Sequence, residues 1–147
     1  ITIKDKKGDG VLTAEMPFKI IPNPNLTVKK NNVDYNMIYL WDDIDKKVIT
    51  SDFVKPNQYY YIIFNQVEGI EAPVVPMEII DSKGNTLFSD NNIFDEFTAE
   101  ETEEAMQQFS AKFTLSQKLN GPITVRCRVN DEASENFVDV ETTVRVL

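Results

Sequence analysis

The chain has 147 residues, 41% of them hydrophobic and 27% charged, and its 15 lysines and arginines against 24 aspartates and glutamates leave a net charge of -9. That length suits one domain with one core, and the composition is that of a globular chain rather than a disordered one. The negative balance repels phosphate backbones, which excludes nucleic acid as an expected ligand, and no apolar run approaches the ~18 residues of a membrane helix.

The chain begins at Ile1, so it is expected to be a processed or truncated piece of a longer protein, with residues 1–147 forming a single domain. Near the start, "DKKGDGVLTAEM" follows the spacing of a calcium loop through Asp5, Asp9, Gly10 and Thr13. Lys7 stands at the third ligand position and Met16 where the bidentate glutamate belongs, so a glycine-rich turn is expected instead. Asn25-Leu26-Thr27 is a glycosylation sequon. Strands are expected over 11–15, 26–33 and 36–41, and residues 58–65, β-branched and aromatic on both faces, read as a central strand covered on both sides.

Two further strands, 77–80 and 86–89, flank the turn Asp81-Ser82-Lys83-Gly84-Asn85, and Pro76 confines the first of them to an edge or to the residues after it. Pro17, Pro22, Pro24, Pro56, Pro73 and Pro122 fall at joints between these runs, as in a many-stranded sheet fold. Between Lys83 and Lys112 the charges are all acidic. Here Thr98 and Glu101 form a capping-box pattern that predicts a helix over 98–108, with its acids in the first turns, where the helix dipole favours them.

The C-terminal third alternates strictly. Phe109, Ala111, Phe113 and Leu115 form one apolar face, and Asn120-Gly121-Pro122 turns into Ile123, Val125, Cys127 and Val129. After a polar turn, Val138, Val140, Thr142, Val144 and Val146 close an antiparallel hairpin whose outward face sets Arg126 and Arg128 near Glu141 and Asp139. The expected fold is all-β: an immunoglobulin-like antiparallel β-sandwich of about 7–9 strands with one short acidic helix near residues 98–108.

The ending "FSAKFTLSQKLNGPITVRCRVNDEASENFVDVETTVRVL" resembles that of many bacterial exported immunoglobulin-like domains. The match is carried by Phe109, Phe113, Leu115, Gly121, Ile123, Val125, Val129, Asp131, Val144 and Val146, and "VKPNQYYYIIFNQVEG" and "EIIDSKGNTLFSD" extend it back to about Val54. The resemblance implies a sandwich module of an envelope or secreted protein, hence an exported location, and it implies no fixed activity.

The chain contains no histidine, which removes the usual base of triads and acid–base relays and a common zinc ligand. No enzyme and no cofactor are expected. Cys127, alone and on an apolar face, is expected to be an inert buried thiol. The metal candidates are Asp90, Asp95, Glu96 and Glu100, because hard cations want several carboxylates at one point; a solvated helix face is the plainer account of the run. Trp41, Tyr39 and Tyr60 are the ligand-binding candidates, out of a tyrosine set that also holds Tyr35, Tyr59 and Tyr61, because aromatic rings stack on sugars; alternating strands also bury such residues. The expected partner is another protein or a surface glycan. The expected function is a non-enzymatic structural or protein-interaction module of an exported bacterial envelope protein, the alternative a carbohydrate-binding module with or without a structural calcium.

Overall fold

The computed structural model describes residues 26–147, together with the backbone of two antiparallel strands nearer the start, β1 (Thr2–Lys4) and β2 (Thr13–Glu15). The calcium-like positions Asp5, Lys7, Asp9, Gly10 and Met16, and Asn25 of the sequon, lie outside the described residues. Eleven strands and one helix follow: β3 (Leu26–Asn31), β4 (Met37–Asp42), β5 (Lys47–Val48), β6 (Phe53–Val54), β7 (Tyr59–Asn65), β8 (Pro73–Val74), β9 (Met77–Ile80), β10 (Thr86–Asp90), α1 (Ala99–Ala105), β11 (Gln108–Thr114), β12 (Ile123–Asp131) and β13 (Phe137–Val146).

These strands form two packed sheets. The larger runs β10-β9-β12-β13-β3, every pair antiparallel, with β8 beside β12 and β6 parallel to the end of β13. The smaller runs β11-β7-β4-β5, also antiparallel. The chain changes sheet between β3 and β4, on both sides of β6, between β7 and β8, between β10 and β11, and between β11 and β12, the repeated exchange between the two layers of an antiparallel sandwich.

Alternation in the sequence becomes alternation in burial. Ile123, Val125, Cys127 and Val129 of β12 and Val138, Val140 and Val144 of β13 point inward, and the register sets Cys127 opposite Val140 and Val129 opposite Val138. From the other sheet come Leu40, Tyr60, Ile62, Phe64, Phe109, Ala111 and Phe113. The Phe64 and Phe109 rings stack at 4.4 Å, and Phe94, just before the helix, meets Phe109 edge-on at 4.9 Å. Each aliphatic or aromatic side chain so buried contributes roughly 1.5–3 kcal/mol. At the end of β4, Asp42 is buried because its carboxylate organises the turn into β5, accepting from the Ile44 and Asp45 N–H groups (2.9 and 3.0 Å) and from Gln58 Nε2 (2.6 Å). Gly69, at φ +96°, is required where a Cβ would lie 2.6 Å from the Asn32 carbonyl oxygen.

Three expectations need correction. The helix stops at Ala105 rather than at 108, because the Met106 and Gln107 carbonyls accept from the Val67 and Gln66 N–H groups beyond β7, and β11 begins at Gln108. Arg126 does pair with Glu141, and also with Glu78 at 2.8 Å, but Arg128 makes no ion pair with Asp139. Its Nε donates to Asn130 and its guanidinium lies 4.0 Å from the Phe137 ring centre. Finally, β7 is central in its sheet but not covered on both sides, since a two-layer sandwich leaves each sheet one outer face.

Candidate binding face

The outer face of the smaller sheet gathers aromatic side chains from β4 and β7. Residues directly opposite one another on paired strands share a face, so the register fixes its rows. One row runs Val48, Trp41, Tyr61, Lys112 across β5, β4, β7 and β11. The next runs Tyr39, Ile63, Ser110, and Tyr59 stands beyond Tyr61 on the other side, opposite Thr114. Neighbouring strands are ~4.8 Å apart and alternate residues along one strand ~6.6 Å, so the rings make a continuous patch.

Within it Tyr39 and Trp41, both half-buried, meet edge-to-face at 6.4 Å. Tyr59 is 51% exposed, and the Lys112 ammonium sits 3.9 Å from its ring centre. Polar groups edge the patch. Trp41 Nε1 donates to Asp43 at 3.4 Å, Asp43 pairs with Lys46 at 2.7 Å, and Ser110 and Thr114 are exposed along β11. The hydrogen bonds from Lys46 and then Trp41 hold the Asp43 carboxyl below its usual range, so it stays an anion. The outer face of the larger sheet differs in kind, being a charged ladder built on Glu78, Arg126 and Glu141.

Of the aromatic candidates, Trp41 and Tyr39 lie on this patch, and Tyr60 does not. Tyr60 faces the core, 1% exposed against Phe113, and its hydroxyl oxygen accepts from the Lys55 N–H at 2.8 Å. Side chains alternate along a strand, so the ring presented beside Trp41 belongs to Tyr61, one residue on. Tyr61 and Tyr59 are the residues that sequence reasoning passed over. Once Tyr60, Ile62 and Phe64 are assigned to the core, the same period of two places both outside. Tyr35 lies away from the patch, half-buried with Lys30 over its ring at 5.6 Å.

The four metal candidates are not brought together. Asp90 ends β10 and accepts from the Asn92 N–H at 2.9 Å, Asp95 and Glu96 are exposed in the following loop, and Glu100 is in the first turn of α1. Among the described residues no three aspartate, glutamate or cysteine side chains gather where one ion could bridge them. Cys127 is wholly buried, and burial pushes its thiol far up from the ordinary range.

No family model matches the chain, and no curated protein matches it. Among solved structures, the crystal structure of the C-terminal domain of wzt is similar to it, with a TM-score of 0.51 and 13% identity over 84% of this chain and 79% of that one. That likeness is one of fold, a β-sandwich.

Proposed function

We propose that this chain is a non-enzymatic binding module that takes a glycan on the outer face of its smaller sheet, as part of an exported bacterial envelope protein. One observation carries the reading: Trp41 and Tyr61 stand directly opposite each other, flanked by Tyr39 and Tyr59, on an open sheet face. Sugar rings present apolar C–H faces bordered by hydroxyls. Aromatic π faces carry the negative potential that attracts C–H groups, and the Asp43, Lys46, Ser110 and Thr114 side chains at the rim supply donors and acceptors for the hydroxyls. A sheet face fixed by three strand ladders is a preorganised support, so little ordering entropy opposes binding. The wzt likeness supports the fold that displays this face and speaks to no ligand.

The test is a glycan array on the purified chain, followed by calorimetry with each retained glycan. Trp41→Ala and Tyr61→Ala each weaken binding by about tenfold or more while the fold is kept, and the bound glycan is recovered unhydrolysed. Retention of no glycan, or binding indifferent to both substitutions, would end the glycan reading. Turnover that depends on a carboxylate pair would end the non-enzymatic one.

A further inference from the structure

The two sheets are unequal on one side. The larger ends in β10 and the smaller in β11, and each of these strands pairs on one side only among the described residues. Phe88 lies opposite Ile79 and Asp90 opposite Met77, so both share the inward face of the larger sheet. Among the described residues no strand of the smaller sheet lies beyond β11 to cover them, and Phe88 is left 45% exposed at an inward position. Among the described residues the Ile93–Phe97 segment and α1 lie across this opening. What remains is a groove of about 760 Å³ between β10, α1 and β11.

Its floor is apolar. Phe97, 43% exposed, stacks on Phe94 at 4.9 Å, and Phe94 in turn packs on Phe109 of the core. Its walls are acidic, with Asp90, Glu101 and Glu104 against Lys112, the one cation among the described lining residues, whose ammonium is turned toward Tyr59. Along the side runs β11, a regular seven-residue strand whose register with β7 is unbroken from Gln108 to Thr114. Its far edge offers a row of backbone donors and acceptors to an added strand.

We propose that this groove receives an extended basic segment of a partner protein, which pairs with the open edge of β11 as a fifth strand of the smaller sheet. Inward side chains of the segment cover Phe88 and Phe97, and its lysines or arginines meet Glu101 and Glu104 of α1. Three features select this occupant. The edge hydrogen bonds ask for an extended backbone, the uncovered aromatics ask for apolar side chains at alternate positions, and the excess of carboxylates asks for cations.

The experiment uses the whole chain and a fluorescein-labelled ten-residue peptide of alternating lysine and valine, with the glutamate–valine peptide of the same pattern as control. The lysine peptide is expected to raise fluorescence anisotropy saturably, more weakly as salt increases, and the glutamate peptide not at all. Phe88→Ser and, separately, Glu104→Lys each weaken binding by about tenfold; both sites are exposed, and Glu104→Lys leaves the apolar floor intact should Phe88→Ser unfold. Trp41→Ala leaves the peptide affinity unchanged, which separates this site from the glycan face. The proposal is overturned by no binding, by equal binding of the acidic peptide, or by loss with Trp41→Ala instead of Phe88→Ser. A concentration-dependent dimer in sedimentation that Phe88→Ser abolishes would also overturn it, by giving the groove to a second copy.

Discussion

Thr142 occupies an inward position of β13 between Val140 and Val144, 1% exposed, and its hydroxyl oxygen has no hydrogen-bond partner. A buried polar group left unpaired costs about 1–3 kcal/mol relative to its solvated state. Valine keeps the β-branched shape that suits a strand and removes the hydroxyl. Thr142→Val is therefore expected to raise the free energy of unfolding by about 1 kcal/mol, read as a higher urea midpoint at unchanged slope. A lower midpoint would mean that the hydroxyl has a partner worth more than its burial costs. The sequence pattern put Thr142 on the core face correctly, because the period of two runs through it without a break. At Tyr60 the same rule went unused: in a run with aromatic or aliphatic residues at every position, hydrophobicity no longer marks the face, and only pairing with the β4 and β11 neighbours separates Tyr60 inside from Tyr61 outside.

At the scale of elements, α1 is the least self-sufficient piece. It has seven residues, well below the ~12–15 at which an isolated helix becomes even marginal. Its start is held by the reciprocal capping box, with the Glu101 N–H donating to Thr98 Oγ1 at 3.1 Å and the Thr98 N–H to Glu101 Oε2 at 2.8 Å. Thr98→Ala removes half of that and costs about 1 kcal/mol. Because few core side chains come from the helix, the loss is expected to be local. Amides of α1 should exchange faster with solvent while those of β12 and β13 keep their protection, and the basic peptide should bind more weakly because Glu101 and Glu104 lose their fixed places. Uniform loss of protection across the sheets would instead make the helix part of the global folding unit. The box was legible because its spacing is local, as were β11, β12 and β13, whose alternation spans several residues, and β7, whose β-branched and aromatic run marks a strand without marking its faces. The two-residue strands β5, β6 and β8 were not, since a pair of residues carries no period and is extended only because a longer strand lies beside it.

For the molecule as a whole, acid is the informative stress. Asp131, at the inward-facing end of β12, gathers the chain around the β12–β13 turn: Ser134 Oγ donates to it at 2.7 Å and the N–H groups of Ala72 and Ala133 at 2.9 and 3.1 Å. These bonds, that of Ser134 foremost, hold its carboxyl at about 2. Asp45, paired with Lys55, and Asp81, bonded by Asn85, also sit below their ordinary value of 3.8. A carboxyl whose folded pKa is depressed binds fewer protons folded than unfolded. Its contribution is thus complete above 3.8 and disappears as pH falls through the folded value. The melting temperature is accordingly expected to hold from neutrality down to about pH 4 and then to drop steeply toward pH 2. Acid also removes negative charge from the chain and leaves its 15 lysines and arginines to repel one another. Repulsion lowers parent and variant alike, whereas Asp131 acts only in the parent. Asp131→Asn is therefore less stable than the parent at pH 7, and the gap between their thermal melts narrows below pH 4 and is mostly closed by pH 2. Two curves that stay parallel down to pH 2 would show that the Asp131 cradle holds its turn by shape rather than by charge.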